Sequence, residues 1–404
     1  MAVNDMTVYQ AGTVLASLVQ QATGQAVITP STPGEFISVA QTALKTGYEP
    51  ILNAMSQMWG RTIFSMRPYS RLFKGMEMSM ERWGNATRKL ALADKAIADD
   101  ERFKYPVAYD ATESDNPLGN GLAVDMFKQN KPDVLQTNFY GQSVYENFYT
   151  IYRDNLDTAF SGPEDFMRFN AMVGQNRTDK LEQYRETIAR GLLANYIASL
   201  LVEANDSRVI HLLTEYNTET GLSLTAQTVY QPSNFAPFMR WVYARIKTLS
   251  RLMQERSEMF QTVINSKHVL RHTPAANQKI YLFAKAMDQF SAMVASDTYH
   301  DNLLKYADYE GVTFWQSIET PDSISIKPTY TNTSGAVVTA QSETEQAGIF
   351  GVIFDEDALG YAQVNAWNAL TPFNVAGGYW NDYDHVNFRT RMDMTEKGLV
   401  LLLD

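Results

Sequence analysis

The side chains best placed to do chemistry lie near the C-terminus, in Gly377-Gly378-Tyr379-Trp380-Asn381-Asp382-Tyr383-Asp384-His385-Val386. Two carboxylates flanking a tyrosine beside a histidine could perform acid/base work or hold a divalent cation. Surrounding aromatics could raise a carboxylate pKa by desolvation. A metal-assisted hydrolase built on Asp382, Asp384 and His385 is therefore one reading. The other is a packing device, with Tyr379, Trp380, Tyr383 and His385 forming an aromatic knot against a final apolar strand, Gly398 to Leu403. The second acidic cluster, Asp355-Glu356-Asp357, follows an apolar run at 349–354 and reads as turn-capping carboxylates that keep a strand end soluble. His268 and His272 stand at i, i+4, a spacing that puts two imidazoles on one helix face. The Val-Leu-Arg between them supplies no glutamate base, and Pro274 would end such a helix, so capping or surface histidines are expected.

Other reaction classes leave no trace. With no cysteine there is no disulfide, thiolate nucleophile or Cys-type zinc site. No Gly-Lys-Ser or Gly-Lys-Thr closes a phosphate loop, and no Ser sits in a Gly-x-Ser-x-Gly elbow. Gly119-Asn120-Gly121 lacks both the third glycine and the preceding strand of a dinucleotide fingerprint, and reads as a turn. No cofactor is expected.

Charge points the same way. The formal net charge of -11 argues against a dedicated nucleic-acid binder. Residues 61–104 run against it, with ten Lys/Arg and six Asp/Glu. A basic segment on an acidic chain can complement another copy of itself, which makes Arg67, Arg71, Arg82, Arg88 and Lys89 candidate subunit-interface residues; the bland alternative is a solvated face. The first basic residue is Lys45, so a signal peptide is not credible, and the longest apolar stretch, Gly191 to Val202, is too short to span a bilayer. A soluble product of a reducing cytoplasm, with no membrane contact, is expected.

The elements that must position these residues are legible in outline. At 45% hydrophobic, 404 residues can bury a large core in two or three domains. Residues 1–60 carry little charge and suggest two short helices, too weakly patterned for a core of their own and so an arm that packs elsewhere. Residues 66–140 read as strand and loop, with Phe103 to Tyr109 as an edge strand and a turn cluster at 115–121: an extended hairpin reaching over an adjacent molecule. Pro163 opens a helix carrying Phe166, Phe169, Met172 and Val173 on one face. After Gly174, Thr178 can cap a second helix running to Ala204. A third amphipathic helix spans 232–260. Short strands are expected at 263–264, 279–283, 311–315 and 349–354, helices at 284–293 and 296–306, and a Ser/Thr-rich hairpin at 321–344.

Asp157-Thr-Ala-Phe160 leading into Phe166–Ala204, the basic extended segment before it, and Gly378-Tyr-Trp-Asn381 with Tyr383 and His385 ahead of a terminal apolar strand resemble the major capsid proteins of small short-tailed bacteriophages, the Salas type and its picovirus-like relatives. The resemblance implies an α+β Hong Kong-type (Johnson) capsid fold: an N-terminal arm over 1–65, an E-loop over 66–140, a peripheral domain with the spine helix over 141–260, an axial domain over 261–360, and a return to the peripheral domain over 361–404. It implies no enzymatic activity. It implies self-assembly into pentamers and hexamers of a virion head around double-stranded DNA held without sequence-specific binding, a portal protein at one vertex, and assembly in the host bacterial cytoplasm. Met1 stands at the start, so a separate scaffolding protein is expected rather than a scaffolding segment cut from the N-terminus. The rivals are a cellular nanocompartment shell of the same fold and a portal or tail component.

Overall fold

The computed structural model describes residues 8–24, 29–59, 69, 71–78, 86–93, 133–140, 143–159, 162–203, 205–297 and 309–404. The strand expected at 103–109, the turn at 115–121 and the helix at 296–306 past Asp297 lie outside them.

The longest element is a helix, α5, Pro163–Val202. Gly162 in extended conformation and Pro163 at the first helical position start it. At 40 residues it runs about 60 Å. The break expected at Gly174 does not occur. Thr178 does not cap a second helix: its hydroxyl donates back to the Gly174 carbonyl at 3.1 Å within one continuous helix. A mid-helix glycine costs only about 1 kcal/mol, and burial at both ends of α5 outweighs it. Phe166 and Val173 enter one core, while Ala189, Leu193, Tyr196, Ile197 and Leu200 enter another.

The larger core surrounds a five-stranded sheet ordered β4-β14-β11-β5-β6, made of β4 (Val209–His211), β5 (Gln278–Phe283), β6 (Tyr309–Val312), β11 (Ile349–Asp355) and β14 (Gly398–Leu402). Every residue of β11 and β14 is buried, as continuous Val/Ile/Leu runs require when both faces are covered. Helices α6 (Leu212–Thr220), α7 (Pro232–Gln254) and α8 (Ala284–Asp297) contribute Leu213, Val242, Ile246 and Met287 to the same core. Two glycines in it are obligatory. A Cβ on Gly398 would lie 2.0 Å from the Tyr196 hydroxyl, and one on Gly351 would lie 2.8 Å from the Tyr281 carbonyl oxygen. At the sheet's rim the fully buried Arg208 donates to the Gly398 and Met394 carbonyls, the Thr262 and Tyr196 hydroxyls and the Glu203 carboxylate, knitting α5 to the last strand.

A second sheet, ordered β12-β13-β3, joins β12 (Leu359–Leu370), β13 (Tyr379–Met392) and β3 (Ser143–Tyr152) in antiparallel register. Helices α1 (Val8–Thr23), α2 (Pro33–Thr46) and α3 (Tyr48–Trp59), with α4 (Arg153–Ala159) and the first turns of α5, close a smaller core beside it. The N-terminal segment thus packs on its own chain: Leu15, Leu18, Phe36, Ile51, Leu52 and Met55 are buried against Phe166, Val173 and Trp380. Each of its helices has too narrow an apolar stripe to form a core alone, and together they need only complete one.

Three remaining pairs are small. A hairpin base, β1 (Ala86–Leu92) with β2 (Val134–Tyr140), precedes β3. The Ser/Thr-rich stretch folds into β7 (Ile324–Ile326) with β10 (Thr344–Gln346), enclosing β8 (Thr329–Thr331) with β9 (Val337–Thr339) around the turn at Asn332–Gly335.

Several expectations are corrected. The aromatic motif does not face the terminal strand: β13 and β14 belong to different sheets. Helix α7 ends at Gln254 and packs with α8 and β5, so it belongs with the five-stranded sheet rather than before a division at 260. No helix carries His268 and His272; that stretch is irregular, with bridges Ser257↔Arg271 and Ile264↔Lys267, and His268 pairs with Glu258 at 2.7 Å. Trp380 packs instead between Phe373 at 4.5 Å and Tyr48 at 5.7 Å, ring centre to ring centre. Trp380→Ala should therefore cost about 3–5 kcal/mol of unfolding free energy in a denaturant titration. An unchanged midpoint would refute this packing role.

Candidate functional site

The acidic motif is built around a cation from the spine helix. β13 alternates its side chains, sending Trp380, Asp382 and Asp384 toward α5 and Tyr379, Tyr383 and His385 to the opposite face. Arg177 of α5 reaches Asp382 at 3.3 Å and also pairs with Asp384. Asp382 is 2% exposed. Burial holds the Arg177 guanidinium below its ordinary pKa against the opposing pull of Asp382. Both carboxylates are thus committed to a guanidinium, and among the described residues no cluster of three or more His, Asp or Glu could hold a metal. His385 stacks on Trp367 at 4.1 Å and 21°. The cleft between α5 and the sheet, about 510 Å³, is lined by Arg177, Arg185, Asn147, Gln363 and Trp367. Arg185 donates to Gln363 at 2.6 Å across it. Replacing Arg177 with Met takes the guanidinium from a buried carboxylate, and a loss of about 3–5 kcal/mol is expected in chemical denaturation. Asp382→Asn in the same chain should recover part of it.

The basic segment is divided by the structure. Arg71 is 7% exposed and bridges Glu77 and, at 2.5 Å, Glu182 of α5. Lys89 reaches from β1 into the buried turn joining β13 to β14, pairing with Asp393 at 2.5 Å and with Glu396. Burial alone would raise the Asp393 pKa, but the Lys89 ammonium and hydrogen bonds from Thr395 hold it below its usual value. At Glu396 burial wins, raising its pKa against Lys89 and Arg271. Arg71 and Lys89 therefore tie the chain to itself, whatever a neighbouring copy adds. Arg88 is exposed. Arg67 and Arg82 lie outside the described residues. Arg71→Glu and Lys89→Glu should each lower the melting temperature of the isolated subunit. Arg88→Glu should leave stability within about 0.5 kcal/mol.

Two exposed apolar faces were not legible in the sequence. The β1–β2 hairpin packs one face on its own chain, where Leu135 and Ala91 meet Ile264 and Val269 and Lys267 donates to the Val134 carbonyl at 2.5 Å. Its other face presents Leu90, Leu92, Val134 and Tyr140 to solvent. The three-stranded sheet does the same on the side away from α5. Val144, Phe148 and Tyr152 are exposed there, and Phe148 stacks on Tyr383 at 5.7 Å. Tyr383 and His385 are thus part of an open aromatic face rather than a buried knot. Period-two alternation was the available signal, but only pairing shows which face meets water.

Residues 19–397 match the family model for the Phi29-like phage major capsid protein. The chain belongs to that family. No curated protein matches it in sequence. Among solved structures it is similar to a chain of the capsid structure of Staphylococcus phage Andhra, with 11% identity, TM-score 0.54, and coverage of 85% of this chain and 87% of that one. It is similar also to a chain in the structure of head fiber and inner core protein gp22 of native bacteriophage P68, with 11% identity, TM-score 0.53, and coverage of 84% and 86%. The fold is the α+β Hong Kong-type phage capsid fold, and the protein is a capsid-forming structural protein.

Proposed function

We propose that copies of this chain form the five- and six-membered rings of a virion head that encloses double-stranded DNA, with a separate scaffolding protein during assembly in the bacterial cytoplasm and a portal at one vertex. The role is structural and non-enzymatic. In this reading α5 is the spine helix of the peripheral domain, the β12-β13-β3 sheet its platform, β1–β2 the root of the E-loop, and the five-stranded sheet with α6, α7 and α8 the axial domain. The supporting observation is the hairpin. A two-stranded ribbon is marginally stable by itself, yet this one keeps four large apolar side chains in water on its outer face. An exposed patch of that kind marks a contact surface, and contacts between unlike surfaces of identical copies propagate into rings. Many such weak contacts per particle sum to a strong shell. An acidic chain would favour loose filling by DNA over adhesion. Leu90→Asp with Leu92→Asp should leave the subunit folded by circular dichroism and abolish closed particles in negative-stain microscopy. Normal particles from the double variant would overturn the reading.

A further inference from the structure

The strand β3 lies at the edge of its sheet: among the described residues its only strand partner is β13, over ten consecutive residue pairs without a bulge. Natural proteins blunt such edges with lysine, proline, bulges or short strands, because an open row of N–H and C=O groups templates further pairing. Ser143-Val-Tyr-Glu-Asn-Phe-Tyr-Thr-Ile-Tyr152 has none of these devices. Its one charge is Glu146, which is exposed between exposed Val144 and Phe148. A compatible strand stands elsewhere on the chain. Among the described residues β1 pairs only with β2. Its outward face reads Arg88, Leu90, Leu92, all exposed, with one charge followed by apolar residues at the same two-residue period. Setting Arg88 opposite Glu146 puts Leu90 opposite Phe148 in a parallel register and opposite Val144 in an antiparallel one. An ion pair then sits beside an apolar pair in either direction.

We propose that β3 is a strand-addition site for a second copy of this chain, whose β1 pairs along it and joins β12-β13-β3 of one subunit to β1-β2 of the next in a single sheet. The inference rests on the shell-assembly reading and deepens it by assigning one intersubunit contact to backbone pairing, with side-chain alternation setting the register. Backbone pairing across the boundary satisfies an edge that side-chain docking would leave open. The Arg88–Glu146 pair selects the register, because a slip of one residue would turn the apolar row to the wrong face.

The absence of native cysteine makes the test free of background. Cross-strand neighbours lie about 4.5–5.5 Å apart at Cα, within the range a disulfide spans. Shells assembled from the Arg88→Cys, Glu146→Cys double variant should, after mild oxidation, give a ladder of dimers and higher multimers on non-reducing gels, and each single variant should not. A charge test runs in parallel: Arg88→Glu and Glu146→Arg should each reduce particle yield about tenfold or more, because a small defect recurs at every contact. The two together should restore it. Both side chains are exposed, so folding of each variant is checked by its melting curve. A ladder with yield restored in the exchanged pair supports the inference. Intact shells in which the cysteines stay unlinked, or link only within one chain, overturn strand addition and leave shell assembly standing. Failure of the unsubstituted protein to form closed particles with or without a scaffold overturns the assembly reading itself.

Discussion

The helix α5 is held by different means along its length, and the rest of the subunit is arranged around that fact. Its first turns are gripped by the small N-terminal core and its last turns by the large sheet core. From Gln175 to Ile188 no side chain is fully buried. There, beside half-buried Leu181 and the Tyr184 ring packed on Tyr145 and Phe388, the helix meets the three-stranded sheet and the chain before β1 through charged side chains: Arg177 on Asp382 and Asp384, Glu182 on Arg71, and Arg185 on Gln363. Apolar packing fixes the two ends cheaply and without direction. The bridges between them are directional, and at such half-dry sites desolvation offsets much of their Coulombic gain. They therefore contribute more to the angle between helix and sheet than to stability. In a subunit that must match its neighbours on several sides, angle is the quantity that counts.

The same division of labour explains where the chain leaves itself unfinished. Of the cations in the basic segment that point inward, Arg71 ties the chain before β1 to α5 and Lys89 locks the hairpin root to the body. The outward side chains of the ribbon, Arg88, Leu90 and Leu92, are exposed among the described residues. Lys89 enters the turn that joins the two sheets, so the ribbon's orientation is tied to both at once. An apolar outer face on a rigidly rooted ribbon costs less ordering entropy on association than a free loop would.

Part of this was readable from the residues and part was not. Strong local patterns came through: Pro163 opening the spine helix, the all-apolar run at 349–354, the amphipathic helix from Pro232, and the Asn332–Gly335 turn. Each depends on neighbours within a few positions. The readings that failed depended on partners far along the chain. Gly174 looked like a break because the long-range burial holding α5 straight across it lies in two cores contributed by other segments. That Asp382 and Asp384 close on Arg177, 205 residues away from the first of them, was likewise beyond the reach of spacing. The basic segment likewise read as one surface, and alternation along β1 divides it between inside and outside.

Composition and local pattern determined, before any coordinates, an acidic chain of mixed helices and strands without disulfides, and the resemblance of its spine-helix and C-terminal stretches to phage capsid proteins added the family. Those properties are additive over residues or local in sequence. Tertiary structure alone decided that β13 and β14 part into separate sheets, that the N-terminal helices complete a core of their own chain, and that the acidic motif closes on an arginine. Each of these is a pairing between distant segments, and one-dimensional periodicity tells how a side chain can face without telling what it will meet.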